Sequence, residues 1–189
     1  MSESWLYFRL GYGHILDWDG YDHMLFLLAL CGTYSLGDWR DVLTLVTAFT
    51  VGHSLTLALT SLEMIPANSE MVEFLIPLTI LLTAIGNLAR RRAEAAWQWP
   101  RYLAALGFGL VHGLGFSSYF RSLLGQGGHV LKPMLFFNLG VEAGQCLIVG
   151  AILLMAAGAF QLQLPRRWWQ TGVSLSAAAV AFWLMAQRI

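Results

Sequence analysis

Pro133-Met-Leu-Phe-Phe-Asn138-Leu-Gly-Val-Glu142-Ala-Gly-Gln145-Cys-Leu-Ile-Val-Gly150-Ala-Ile-Leu-Leu-Met-Ala-Ala-Gly-Ala-Phe160 decides what kind of chain this is. An α-helix rises 1.5 Å per residue, and a bilayer core of about 30 Å needs about 20 apolar residues. This run exceeds that length and carries a single charge, Glu142. Asn138, Glu142 and Gln145 stand at i, i+4 and i+7, so all three share one helix face. A charge at mid-bilayer costs about 2.5–3.5 kcal/mol on insertion scales and normally faces a protein interior or a wet cavity. Glu142 therefore reads as a metal ligand or a proton acceptor. The structural alternative, a carboxylate paired with arginine, has no evident partner at that depth.

The rest of the chain agrees with the membrane reading. Of 189 residues 57% are hydrophobic and 12% charged, against about a quarter charged in a soluble domain. Mean hydropathy is +0.60. The expected fold is all-α, a polytopic membrane protein of about six transmembrane helices, forming one domain over residues 1–189. The expected spans are 21–36, 40–62, 70–89, 101–124, 133–160 and 168–187. Residues 1–20 are expected to form a short interfacial helix. They lack a basic start and are broken by Arg9 and Gly11, so they do not read as a signal peptide. A formal net charge of zero argues against nucleic acid as a partner. Cys31 and Cys146 sit in apolar runs and form no CxxC or disulfide pattern. Pro77 predicts a kink near Glu73.

Orientation follows from lysine and arginine in the short loops. The first, third and fifth loops hold Arg40, Arg90, Arg91, Arg92, Arg101, Arg166 and Arg167. The other side holds Arg9, Arg121, Lys132 and Arg188. This bias places the odd loops in the cytoplasm and both termini outside. Asp22, His23, His53, His112 and Glu142 then all fall near the midplane or in the outer half, which points to one shared site.

Each of these residues has a plainer reading. Asp22 and His23 follow Asp17 and Asp19, two carboxylates expected in water, and Asp22 would also suit a helix N-terminus. Back-bonding accounts for Thr50, Ser54 and Thr56 around His53, but less well for the histidine itself. Gly109 and Gly113 flank His112 as a GxxxG pair, which permits close helix packing. Packing of that kind would also bring His112 towards its neighbours. Glu73 and His14 are further possible members of the site. His129 reads as a solvated loop residue. Imidazole is the commonest metal ligand, and an adjacent carboxylate orients it. Three histidines and two carboxylates suit Ni²⁺, Zn²⁺ or Co²⁺ equally. Ser54, Asn138 and Gln145 would support them.

At these residues the chain resembles the HupE/UreJ family of small bacterial membrane proteins. The resemblance runs through Gly-Tyr-Gly-His14, Gly20-Tyr-Asp22-His23-Met-Leu-Phe, Thr47-Ala-Phe-Thr-Val-Gly-His53-Ser54, residues 72–80 with Glu73, Phe108-Gly-Leu-Val-His112-Gly and Asn138-Leu-Gly-Val-Glu142-Ala-Gly-Gln145. The interval from His14 to Asp22 is longer here than in the family pattern. The resemblance implies a bacterial inner-membrane protein and nickel-related transport, since members accompany hydrogenase and urease systems. A permease for a divalent transition metal is the leading expectation. A zinc-dependent intramembrane hydrolase using the same residues, with Glu142 as water-activating base, is the alternative, although HExxH and GxSxG are absent. A non-transporting metal sensor or assembly subunit is the third. The sequence leaves the metal and the oligomeric state open.

Overall fold

The computed structural model describes residues 2–18, 20–66, 69–89, 98–124 and 130–188. Asp19, the Arg90, Arg91 and Arg92 run, and His129 lie outside them. The described residues form α1 (Glu3–Leu16), α2 (Tyr21–Cys31), a 3₁₀ turn (Leu36–Asp38), α3 (Trp39–Ser61), α4 (Ser69–Ala89), α5 (Trp99–Leu124), α6 (Leu131–Gln161) and α7 (Arg166–Ala186). No strand occurs among them. Four helical stretches are long and apolar enough to cross a membrane: Leu36–Ser61, Glu70–Ala89, Leu131–Gln161 and Arg166–Ala186. The helix expected over 21–36 is shorter and stops at Cys31.

Local chemistry explains several boundaries. Ser2 caps α1 through the Trp5 amide, and Pro165 precedes α7. The ends of α3 and α6 close alike. Met64 N–H donates to the Leu59 carbonyl and Glu63 N–H to Thr60, with Glu63 at φ 58°. Leu164 N–H donates to Ala159 and Gln163 N–H to Phe160, with Gln163 at φ 60°. Both are Schellman closures, which absorb the last free carbonyls of a helix. In α4, Pro77 has no N–H for the Glu73 carbonyl four residues back; the Arg188 guanidinium donates to it instead.

Two pairs of helices run parallel in close contact, and glycine makes both seams. Between α3 and α5, a Cβ on Gly52 would strike the Leu106 carbonyl, one on Gly109 the Phe49 carbonyl, and one on Gly113 the His53 carbonyl. Asp41 with Tyr102, and Thr60 with Arg121, extend the same register to either end. Between α1 and α6, Gly11 lies on the Phe137 carbonyl, Gly140 on Phe8 and Gly144 against Tyr12 and Ile15. Glu3 pairs with Lys132 at 4.0 Å where these two helices begin. So α1, expected at the interface, packs lengthwise along the first half of α6.

α2 then continues in the same sense to the opposite end of the bundle. Its last carbonyls are met by side chains of other helices. Asn87 donates to Ala29 (2.6 Å), Trp169 to Gly32 (2.8 Å) and Gln170 to Thr33 (2.9 Å). Arg101 donates to Thr33 and Asn87 and lies 4.7 Å over the Tyr34 ring. A buried helix end needs such partners because its final carbonyls have none within the helix. The outer faces are apolar, with Leu55, Leu82, Leu154 and Phe182 more than half exposed, as expected of a surface that meets lipid rather than water.

Candidate metal site

The register of the two glycine seams delivers four imidazoles to one place. α1 brings His14, the start of α2 His23, α3 His53 and α5 His112. Ring centres are 4.6 Å apart for His14 and His23, 6.1 Å for His14 and His53, 6.4 Å for His23 and His53, and 5.3 Å for His23 and His112. His53 is 0% exposed, His112 1% and His23 6%. Phe26 and Phe49 each stand 5.1 Å from His112, while Phe116 lies 3.8 Å and Phe137 5.8 Å from His14. The result is an aromatic box around four nitrogen heterocycles.

Hydrogen bonding prepares two of these rings as ligands. His112 Nδ1 lies 2.8 Å from the Phe108 carbonyl, which can only accept, so Nδ1 carries the proton. His23 Nδ1 lies 2.9 Å from Asp22 Oδ1, and the same oxygen accepts the His23 amide at 2.8 Å. Each ring then offers a bare Nε2 lone pair. This is how metal-bound histidines are held, one nitrogen donating to a carbonyl or carboxylate and the other on the ion. Asp22 thus orients His23. The Nε2 atoms of His14, His23, His53 and His112, and Nδ1 of His53, are buried without a hydrogen-bond partner. Burial of so many unpaired polar atoms is costly and calls for an occupant.

The donor set and its spacing fit a transition metal. With metal–nitrogen distances of about 2.0–2.1 Å, imidazoles sharing an ion have ring centres roughly 5 Å apart. The nitrogens have not converged, however. Among the described residues, no group of three or more His, Cys, Asp or Glu side chains stands ready to hold an ion. Binding would require the rings to turn towards one another.

The other expected members make contacts of their own. Glu142 accepts from the Thr47 hydroxyl at 2.9 Å, on the partly exposed seam of α3 and α6. Gln145, 0% exposed, accepts from Thr50 at 2.7 Å. Asn138 keeps a buried Oδ1 without a partner. Ser54 donates back to the Thr50 carbonyl at 2.7 Å, the plainer role open to it. Glu73 is exposed at the end of the bundle. His14, whose longer spacing from Asp22 set it apart, is brought in because α1 and α2 meet at the cluster. Sequence reading had no means of finding the phenylalanine walls, which come from α2, α3, α5 and α6.

Over residues 1–188 the chain matches the family described as HupE / UreJ protein. It belongs to the HupE/UreJ family. No curated protein and no solved structure matches it. The match covers every element of the histidine cluster, and HupE/UreJ proteins are membrane proteins. The apolar faces of this HupE/UreJ chain therefore read as lipid-facing.

Proposed function

We propose that this HupE/UreJ protein is an inner-membrane permease for a divalent transition metal, nickel or cobalt foremost. The observation supporting it is the set of four imidazoles from four helices, each with a buried nitrogen that lacks a hydrogen-bond partner, packed among phenylalanine rings. His14, His23, His53 and His112 would take the ion in turn or together, and Asp22 would hold His23 in the binding tautomer. In this reading α1 and α2 form one broken crossing. At 1.5 Å per residue their 14 and 11 residues reach about 21 and about 16 Å, together enough for a bilayer core. With α3 to α7 that makes six crossings, and both termini face the periplasm. Discontinuous helices at mid-membrane are a recurring way to build transporter sites.

Glu142 lies apart from the imidazoles, so its role here is to accept protons rather than metal. Cavities at both ends of α2 favour a transporter over a hydrolase, which needs access from one side only. One is open at His14. The other, about 120 Å³, lies between α2, α4 and α5 beside Asn87, Arg101 and Phe108. The Phe108 ring packs 5.8 Å from Phe26, which walls the histidines.

The test is elemental analysis of purified protein together with Ni²⁺, Co²⁺ and Zn²⁺ flux in sealed vesicles. Wild type should bind about one ion and move it. His112→Ala should lose both activities, and Glu142→Gln should keep binding but lose pH-driven flux. Tight binding without any flux would sink the permease reading and favour a sensor or enzyme.

A further inference from the structure

His23, His53 and His112 are buried and His14 partly so, so an ion needs a way in. A cavity of about 500 Å³ opens between α1 and the last turns of α5, lined by Arg9, Gly13, His14, Asp17, Phe116 and Tyr119 among others. Gly13, Asp17 and Tyr119 are exposed at its rim. It is many times larger than the space a single water needs, so an ion can enter with water around it. Its wall mixes a guanidinium, a carboxylate, a phenol and an imidazole, a set that suits water and not lipid. The cavity reaches one member of the cluster: His14, whose ring is 4.6 Å from His23.

Phe116 lines the cavity and also lies 3.8 Å from His14. Behind it, Phe116 is stacked on Phe137 at 5.0 Å and touches Tyr119 at 5.1 Å. His14 already lines the cavity, and turning the Phe116 ring would widen the way past it towards His23.

We propose that this cavity is the port through which a hydrated divalent cation enters, and that the Phe116 ring is the door between it and the deeper histidines, His23, His53 and His112. The proposal rests on the metal reading above and adds the route and the substrate's form. The ion arrives with its water shell, exchanges its first water for His14, and loses the rest as it passes Phe116 to His23. Four of the six waters are replaced by imidazole nitrogens and two leave without replacement, which takes the ion from six-coordinate to four-coordinate.

Gly13 allows a direct test. A Cβ there meets nothing within 4 Å, so a side chain can be added without disturbing the packing. Gly13→Trp should plug the port. In purified protein it should slow Ni²⁺ capture in stopped flow at least tenfold while leaving the amount bound at equilibrium unchanged. Phe116→Ala should speed capture. A second readout needs no metal: the rate at which aqueous diethylpyrocarbonate modifies His14, followed by peptide mass spectrometry. The plug should slow it at least tenfold and Phe116→Ala should raise it. If Gly13→Trp leaves both rates at wild-type values, the cavity is not the way in. If Phe116→Ala leaves both rates unchanged, the ring is not a door. Wild-type protein that takes up no metal would overturn the metal reading, and the diethylpyrocarbonate rates would still decide whether this cavity leads to His14.

Discussion

Replacing Gly109 with alanine probes the contact that brings His53 and His112 together. The new Cβ would land on the Phe49 carbonyl and 3.0 Å from the His53 amide nitrogen. Both belong to the backbone of α3, so no side chain can swing aside and the two helices must part. Overpacking of this kind costs about 1–3 kcal/mol and occasionally more. Alanine returns about 1 kcal/mol of helix preference over glycine. Gly107, one half-turn earlier in α5, supplies the control, because a Cβ there meets nothing within 4 Å. Gly107→Ala should therefore be neutral or gain up to about 1 kcal/mol, and Gly109→Ala, at the upper end of the overpacking range because its Cβ meets backbone, should lose about 2 net. A difference of about 3 kcal/mol corresponds to roughly 6–12 °C in melting temperature for a chain of this size. Tryptophan fluorescence during thermal unfolding in detergent micelles would measure it. Gly109→Ala should also weaken metal binding, since it separates two of the four imidazoles, whereas Gly107→Ala should not. Melting temperatures for the two variants within about 2 °C of each other would show that the α3–α5 seam does not depend on glycine, and the registration of the site would need another cause.

Arg188→Ala should destabilise the protein by about 1 kcal/mol, because it strips the donor from the Glu73 carbonyl that Pro77 leaves free. Pro77→Ala restores an N–H to that carbonyl, so Arg188→Ala should cost nothing in that background; equal costs in both, by a double-mutant cycle, would refute the pairing. For topology, Met64 and Leu162 are 66% and 85% exposed in turns at opposite ends of the bundle. With Cys146 changed to serine, Met64→Cys should react with impermeant maleimide in intact cells and Leu162→Cys only after permeabilisation. The reverse pattern would invert the orientation drawn from the arginine count.

What the sequence by itself determined is the helical character of the chain and most of its helix positions. The stretches expected over 40–62, 70–89, 101–124, 133–160 and 168–187 are helices α3 to α7. Apolar length and loop-marking Gly, Pro and Arg are local properties, and in a low-dielectric surrounding a backbone must satisfy itself within its own helix. His23, His53 and His112 were also legible, since an imidazole in an apolar run stands out without knowledge of its neighbours.

Only the tertiary structure decided which polar residues meet. Periodicity puts Asn138, Glu142 and Gln145 on one face of α6 but says nothing about what that face opposes. Glu142 meets Thr47 and not the histidines. His14 was only a possible member by its spacing along the chain, which does not measure distance once α1 and α2 join end to end at the cluster. That Asp22 holds His23 Nδ1 is visible only in one hydrogen bond between them. The physical reason is the same in each case. A helix fixes the angle between its own side chains, whereas its rotation and depth against other helices are set by where glycine lets backbones touch, and that depends on pairs of residues far apart in sequence.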